Sequence, residues 1–308
     1  SAIEKAGPGV VAAYIIAGIA IFFVMRAMGE ITIEYPVSGS FSAHAYQFLN
    51  PLAGYVSGWN YWYVWVVTCM AEITAVGVYV HLWLPDLPQW ISCLCALALM
   101  TCANLISVKA YGEFEFWFAL IKIVTIIFLI ITGAGMIFFG LGNDGVAVGI
   151  SNLTQHGGFF PHGFGGVFDT MLMVLFAYVG IEVIGVTAGE AANPEKTLSA
   201  AIDKVLYRIL LFYVLALLVI MSIYPWDQLG HQGSPFVMVF EKLGISGAAH
   251  VINFVVITAA LSSCNSGIYS TGRMLYNLSL QGKAPKTFST VSKQKVPYKA
   301  LCMSVLCM

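Results

Sequence analysis

Three ionisable side chains lie inside long apolar runs of the sequence, where a charge is costly. Lys122 lies in the run WFALIKIVTIIFLIITG, Glu182 in MLMVLFAYVGIEVIGVTAG and Glu72 in WVVTCMAEITAVGVYVHLWL. A charge at the centre of a bilayer costs roughly 3 kcal/mol even on lenient insertion scales. Such residues usually face a protein interior or a water-filled path. They therefore indicate that a solute or protons move across a membrane.

The elements that carry these side chains are predicted to be membrane-spanning helices. Hydrophobic residues make up 59% of the 308 positions and charged residues only 9%, whereas a soluble domain carries about 25% charged residues. Apolar segments of spanning length lie near residues 9–27, 54–84, 89–107, 114–141, 167–189, 205–224 and 247–270, and an eighth begins near residue 299. The sequence predicts an all-α membrane protein with one multi-pass transmembrane domain over residues 1–308.

The basic residues are distributed unevenly between the two predicted faces of the membrane. Of the 14 Lys and Arg residues, 11 follow the first, third, fifth and seventh segments. They are Arg26, Lys109, Lys196, Lys204, Arg208, Arg273, Lys283, Lys286, Lys293, Lys295 and Lys299. The positive-inside rule places residues 271–299 in the cytoplasm and the loop 142–166, which has no Lys or Arg, outside. Anionic lipid explains these basic loops, so no nucleic-acid partner is expected.

Cofactor, metal and enzyme chemistry have no support in the sequence. Seven cysteines lie mostly in apolar runs, without a CxxC pair or zinc-type spacing, and are interpreted as small hydrophobic residues. The six histidines lie in peripheral or loop positions, and neither HExxH nor GxSxG occurs. We therefore expect no metal, no cofactor and no enzymatic activity.

Two features interrupt the regular pattern of spanning helices. Residues 29–53 are less apolar and contain Pro36, Gly39 and Pro51, which predicts a short helix in the plane of the cytoplasmic surface. Five glycines punctuate residues 165–189 on both sides of an aromatic pair and Glu182. Such glycines can simply allow close helix packing, but the nearby acid favours a helix broken around residues 177–180. Unwound backbone would offer carbonyls to a cation.

Several motifs taken together resemble one known family over essentially the whole chain. They are residues 25–30 (MRAMGE) followed by 35–41 (YPVSGSF), 112–118 (GEFEFWF), 189–196 (GEAANPEK) and 261–267 (LSSCNSG). These motifs are similar to those of the amino acid–polyamine–organocation (APC) superfamily. The closest likeness is to its bacterial amino-acid transporter (AAT) group, which includes aromatic, proline, threonine and γ-aminobutyrate permeases.

The resemblance implies a LeuT-like transporter fold built from two inverted five-helix repeats. Aligned with the family, the chain is expected to be partial and to contain helices two to eight plus a stub of helix nine. It would lack the first helix and the C-terminal helices. Residues 1–141 would belong to the first repeat, residues 142–166 would form the extracellular loop, and residues 167–308 would belong to the second repeat.

The resemblance also implies which residues bind the transported substrate. Phe176 matches an aromatic side chain that covers the bound substrate. Ala177, Tyr178 and Gly180 match the unwound turn whose carbonyls receive the substrate ammonium. Cys69 would line the pocket from helix three. From the residues alone, Phe176 and Tyr178 could equally be ordinary packing aromatics.

A second group of residues is implied in proton coupling. Lys122 matches a helix-five lysine that occupies the place of a sodium ion in sodium-driven relatives, and Ser262 and Ser263 match hydroxyls that line this place. Glu182 matches an acid tied to proton coupling, and Glu72 would face the same pocket. Alternatives remain open for each residue: Lys122 could extend to the membrane surface, the serines could bond their own helix, and the acids could be neutral or paired with neighbouring helices.

The predicted function is a secondary active transporter (permease) for amino acids in the cell (inner) membrane, with proton-coupled symport as the leading mechanism. Its partners would be an amino acid, protons and the lipid bilayer. An amino-acid exchanger is the alternative. A channel or receptor is less well supported, because the sequence has no filter loop and no ring of pore-lining charges.

Overall fold

The computed structural model describes residues 2–35, 40–106, 108–188, 194–229, 235–245 and 247–308. Within these ranges every regular element is a helix, as the sequence predicts. The α-helices are α1 (Ala2–Ala6), α2 (Val10–Glu34), α3 (Ser40–Phe48), α4 (Pro51–His81), α5 (Gln89–Ile106), α6 (Val108–Phe139), α7 (Asn152–Gln155), α8 (Gly163–Phe176), α9 (Val183–Ala188), α10 (Pro194–Arg208), α11 (Ala216–Ile223), α12 (Pro235–Lys242), α13 (Ala248–Leu280) and α14 (Tyr298–Leu306). A π-helix (Ile209–Leu215) joins α10 to α11, and 3-10 turns span Gly7–Gly9 and Lys286–Ser289.

Five described helices are long and apolar enough to cross a membrane. They are Ala2–Glu34, Pro51–His81, Gln89–Ile106, Tyr111–Phe139 and Ala248–Leu280, and they coincide with the first four predicted segments and the seventh. The fifth and sixth segments contain the shorter apolar helices Gly163–Phe176 and Leu211–Ile223. The fifth is shorter because its helix stops at a break, and the sixth begins inside the π-helix.

The chain forms two compact units from interleaved segments. The first unit contains Ser1–Ala27, Ile123–Ile181 and Ala200–Phe254, and the second contains Met28–Lys122, Glu182–Ser199 and Val255–Met308. The boundaries between these segments fall inside α2, α6 and α13, among other places. The predicted repeat halves, residues 1–141 and 167–308, stay a prediction.

In the first unit, the segment before α8 is hydrogen-bonded to the end of α11 and to the turn that follows it. Asn152 Nδ2 donates a hydrogen bond of 2.9 Å to the Ser222 carbonyl, and Trp226 Nε1 donates one of 2.9 Å to the His156 carbonyl. His156 Nδ1 also lies 3.2 Å from Asp227 Oδ2. Three separate contacts therefore give residues 152–156 of the predicted extracellular loop a defined position within this unit.

In the second unit, the core is built where α4, α5, α13 and α14 meet. The fully buried side chains of this core include Cys69, Met100, Cys264, Ile268 and Leu301. Gly267 permits close packing here, because a Cβ atom at this position would clash with Cys69 Sγ and lie 2.8 Å from Trp65 Cε3. The small-residue motif of α13 thus brings this helix close to α4.

The short helix predicted within residues 29–53 is present as α3. It packs on the start of α4, where Ser42 Oγ donates a hydrogen bond of 3.0 Å to the Gly54 carbonyl. A Cβ atom on Gly54 would lie 2.5 Å from Tyr46 Cβ, so the glycine allows the two helices to approach closely. Asn50 caps α4 by accepting a hydrogen bond of 2.8 Å from the Ala53 amide. Pro36 and Gly39, which carry part of this prediction, lie outside the described residues.

Candidate functional site

The predicted break of the sixth family helix is present at residues 177–182. Helix α8 ends at Phe176, α9 begins at Val183, and residues 177–182 form turns. Gly180 has a φ of 104°, a conformation that L side chains rarely adopt. The glycine is therefore the residue type that this turn requires, and the prediction of a discontinuous helix is confirmed.

Tyrosines of the first unit hold the start of this break. Tyr213 Oη donates a hydrogen bond of 3.0 Å to the Ala177 carbonyl, and Tyr178 Oη donates one of 2.8 Å to the Tyr14 carbonyl. The Tyr14 and Tyr213 rings stack with centroids 5.2 Å apart. Tyr178 is buried with 2% of its surface exposed, whereas Phe176 is 63% exposed. Phenol hydroxyls thus hold the start of the break in place, and the Phe176 side chain is largely exposed.

In the second unit, α6 presents three polar side chains along one face. Tyr111 and Glu115 are four residues apart, and Lys122 follows Glu115 by seven. At 3.6 residues per turn these spacings correspond to about one and two turns. The three side chains therefore project in similar directions, toward the polar side chains of α13.

A hydrogen-bonded chain joins α6 to α13 along this face. Lys122 Nζ donates to Ser262 Oγ at 2.9 Å, and Ser262 Oγ donates to Glu115 Oε1 at 2.7 Å. Ser266 Oγ donates to Glu115 Oε2 at 3.3 Å. Ser262 is 1% exposed. A single buried hydroxyl therefore stands between an ammonium group and a carboxylate.

Beyond Glu115, the interface continues through stacked rings and amides. Tyr111 and Tyr269 stack with centroids 4.2 Å apart, and the Arg273 guanidinium carbon lies 3.7 Å from the Tyr269 centroid. Asn265 Nδ2 donates to the Tyr111 carbonyl at 3.3 Å, and Asn104 Nδ2 donates to Asn265 Oδ1 at 2.8 Å. These contacts fix the position of α6 relative to α5 and α13 along the end that carries Glu115.

The remaining predicted coupling residues of the second unit have different surroundings. The Glu72 carboxylate interacts with the Ser263 hydroxyl and with the charge of Lys122. Ser263 thus faces Glu72 on α4, while Ser262 bonds the lysine. The Glu182 charge acts on the phenol of Tyr61. The structure brings Lys122, Ser262, Ser263 and Glu72 together around one place.

The predicted substrate-binding residues divide between the two units. Phe176, Ala177, Tyr178 and Gly180 belong to the first unit and Cys69 to the second. Cys69 is fully buried, and its Sγ lies 3.7 Å from the Cys264 carbonyl, to which it donates. The roles of all five residues in substrate binding stay predictions.

Glu115 is the prominent member of this site that we did not predict as functional. It lies in the motif GEFEFWF, near the polar end of the apolar run, where solvation by the membrane interface would explain a charge. The usable signal was its spacing: Glu115 precedes Lys122 by seven residues, which puts both on one helix face. In the described part of the chain, no group of three or more His, Cys, Asp or Glu side chains could hold a metal ion.

Comparisons with known proteins give the family. The family model described as "Amino acid permease" matches residues 1–308. The uncharacterized amino acid permease YtnA of Bacillus subtilis (strain 168) is 61% identical over 304 residues, covering 99% of this chain and 66% of the relative. The probable threonine/serine transporter YbxG of the same strain is 55% identical over 297 residues, covering 96% and 64%. The aromatic amino acid transport protein AroP of Escherichia coli (strain K12) is 44% identical over 306 residues, covering 99% and 66%.

The fold and these matches define the class of protein to which the chain belongs: it is a multi-pass helical protein of the bacterial cell (inner) membrane. The chain belongs to the amino acid permease family, within the APC superfamily. The three relatives are named as permeases or transporters and not as enzymes. The chain spans about two thirds of the length of these relatives.

Proposed function

We propose that the protein carries amino acids across the cell membrane as a secondary active transporter, and that it does so by proton symport. Membership of the amino acid permease family supports the transport of amino acids. The relatives carry names that extend from threonine and serine to aromatic amino acids, so the proposed substrate class is the neutral α-amino acids.

The observation that carries proton coupling is the ammonium group of Lys122 inside a long apolar helix. It lies 2.9 Å from a buried serine hydroxyl, and two carboxylates, Glu72 and Glu115, lie close to it or to that serine. Oxygen ligands of this kind are those that a small cation prefers. A lysine already in this place supplies the positive charge itself, and it can lose and regain a proton. We therefore propose transport that needs protons and not sodium.

The broken helix supports the proposed place of substrate recognition. Residues 177–182 are not helical, so their carbonyls are not all used within a helix. The Ala177 carbonyl accepts from Tyr213, and a substrate ammonium that binds this carbonyl would share or replace that hydrogen bond. In this proposal Phe176, Ala177, Tyr178 and Gly180 contact the substrate.

The test uses the complete gene product in proteoliposomes with an imposed inward proton gradient. We expect wild-type protein to accumulate a labelled neutral amino acid, with no change when sodium is replaced by choline. Lys122→Ala should abolish accumulation while the protein remains monodisperse after purification. The matched control is Lys109→Ala, because Lys109 is an exposed lysine on the same helix.

Three outcomes would count against this proposal. A wild-type requirement for sodium, or normal accumulation by Lys122→Ala, would remove the lysine from the coupling step. Homoexchange without any net accumulation would make the protein an exchanger.

Competition with unlabelled threonine, serine, phenylalanine and tryptophan in the same vesicles identifies the substrate, and charged amino acids should not compete.

A further inference from the structure

We propose that Glu115 exchanges a proton with Lys122 through the Ser262 hydroxyl, and that this exchange is the coupling step of transport. The proposal rests on the proposed proton symport, and it assigns the proton-accepting carboxylate to Glu115. Glu182, one of the two acids predicted from the sequence, is not part of this step, and the other, Glu72, is not the proton acceptor.

The geometry that points to this exchange is the position of one hydroxyl between two ionisable groups. Ser262 Oγ accepts from Lys122 Nζ at 2.9 Å and donates to Glu115 Oε1 at 2.7 Å. A serine hydroxyl has one proton to donate and two lone pairs to accept, so both bonds can form at once. Each distance is short enough for a strong, charge-assisted hydrogen bond.

Proton transfer along this chain needs no other reactant. One N–H bond of the Lys122 ammonium breaks as Ser262 Oγ takes its proton, and the original Ser262 proton passes to Glu115 Oε1. The products are a neutral amine, an intact serine hydroxyl and a neutral carboxylic acid. Two charges disappear together, which lowers the cost of holding the groups in apolar surroundings.

The surroundings of Glu115 keep its carboxylate oriented for this transfer. Ser266 Oγ donates to Oε2 at 3.3 Å and lies 3.5 Å from the Tyr111 hydroxyl. The two carboxylate oxygens of Glu115 thus have different partners: Oε2 accepts from Ser266, and Oε1 accepts from Ser262. Ser266 is therefore a positioning residue.

Other charged and titratable groups face this chain from the packed helices. Glu72 of α4 interacts with the charge of Lys122. On α13, Arg273 stacks on Tyr269, which stacks on Tyr111. The negative charge of Glu72 stabilises the ammonium form of Lys122. We assign Glu72 the role of stabilising this form before the proton passes to Glu115.

The first experiment compares Glu115→Gln with Glu113→Gln in the complete gene product. Glu113 is exposed and lies two residues away on the same helix, so its side chain points about 200° from that of Glu115. We expect Glu115→Gln to lose accumulation driven by the proton gradient and to keep substrate counterflow, which needs no net proton movement. Glu113→Gln should behave like the wild type in both assays.

The relay oxygen is tested in the same vesicles. Ser262→Ala should lose gradient-driven accumulation, and Ser262→Thr, which keeps a hydroxyl, should retain it with a shifted pH profile. If Glu115→Gln accumulates as Glu113→Gln does, the proposal is overturned. If Glu115→Gln loses both counterflow and accumulation, the proposal is also overturned, because Glu115 would then be a structural residue.

A second measurement separates this inference from proton symport itself. Infrared difference spectra of the purified protein during a pH titration should contain a carboxylic-acid band that disappears in Glu115→Gln and shifts in Ser262→Ala. If the band is present and shifts in Ser262→Ala but the wild type shows no proton-driven uptake, proton symport fails and the exchange loses its role in coupling, while the hydrogen-bonded chain through Ser262 stands. If wild-type uptake is proton-driven and the band is unchanged in both variants, the Glu115 exchange fails alone.

Discussion

At the scale of single residues, His44 links stability to pH outside the spanning helices. It lies on α3, is 6% exposed, and its Nε2 is 3.4 Å from Thr32 Oγ1. Its Nδ1 is buried with no hydrogen-bond partner among the described residues. Burial lowers the pKa of His44 below its ordinary value of 6.5, because the charged ring loses its contact with water there.

The sign of the pH effect follows from this lowered pKa. Near pH 6.5 the unfolded chain takes up a proton at His44, and the folded protein takes it up only at lower pH. The contribution of the neutral His44 ring to the free energy of unfolding is therefore complete above pH 6.5 and decreases as the pH falls below it. We expect the melting temperature in detergent to decrease below pH 6.5, and His44→Gln to make that decrease smaller. If the melting temperatures of the wild type and His44→Gln decreased equally below pH 6.5, this prediction would be contradicted.

Residue types in the sequence predict part of the coupling site but not its connections. The family resemblance implies that Ser262 lies beside Lys122, a lysine deep in an apolar helix needs oxygen partners, and the structure places the two 2.9 Å apart. The sequence also assigned Ser263 to the lysine. One residue along a helix turns by about 100°, so Ser263 points toward Glu72 instead. Only the orientation of α13 decides which of two adjacent serines meets the lysine.

At the scale of elements, the break between α8 and α9 depends on one backbone conformation. Gly180 has a φ of 104°, and a side chain there would strain the turn by about 1–3 kcal/mol. We expect Gly180→Ala to lower the melting temperature in detergent and to reduce substrate binding, because the turn moves. Gly165→Ala is the control: Gly165 lies in α8, and a Cβ atom there meets nothing within 4 Å. Equal melting temperatures for the two variants would show that the break tolerates a side chain.

The sequence predicts where this helix breaks, but not what holds the break. The glycine cluster and the nearby Glu182 indicate residues 177–180, and the structure has turns over residues 177–182. The hydroxyl that bonds the Ala177 carbonyl comes from Tyr213, in the π-helix Ile209–Leu215. The run ILLFYVL is apolar throughout and has no period that distinguishes a π-helix from an α-helix. Whether that segment forms a π-helix or an α-helix is therefore decided by its packing and not by a local sequence signal.

At the scale of the whole molecule, the uneven distribution of basic residues predicts the topology. We expect a cysteine at Ser151 to react with a membrane-impermeant maleimide added to intact cells, and a cysteine at Lys286 to react only after permeabilisation. Both positions are exposed. Ser151 is preferred to Asn152, whose side chain bonds the Ser222 carbonyl.

The background for this labelling needs care, since the protein has its own exposed cysteines. Cys95, Cys102 and Cys302 are exposed and should be replaced by serine first. Labelling at Lys286→Cys in intact cells, with none at Ser151→Cys, would invert the topology.

Hydropathy predicts the spanning segments of the molecule, but it does not predict how they are grouped. Each of the two compact units takes its helices from three separate stretches of the chain. Contacts such as those of Trp62 with Ser304, or of Asn104 with Asn265, join residues more than 150 positions apart. No local pattern encodes such pairings, because they arise from packing between whole helices.

The two hydrogen bonds of Ser262 also bear on how the protein would respond to membrane voltage. A proton that passes from Lys122 to Glu115 moves no further than the 2.9 Å and 2.7 Å bonds allow. This is at most about one fifth of a hydrocarbon core that is roughly 30 Å thick. A full crossing is worth about 2.3 kcal/mol per 100 mV, so this step would gain only about 0.4 kcal/mol. The electrical work of uptake must therefore be done mainly where the proton enters and leaves, and voltage would alter those steps more than the exchange itself.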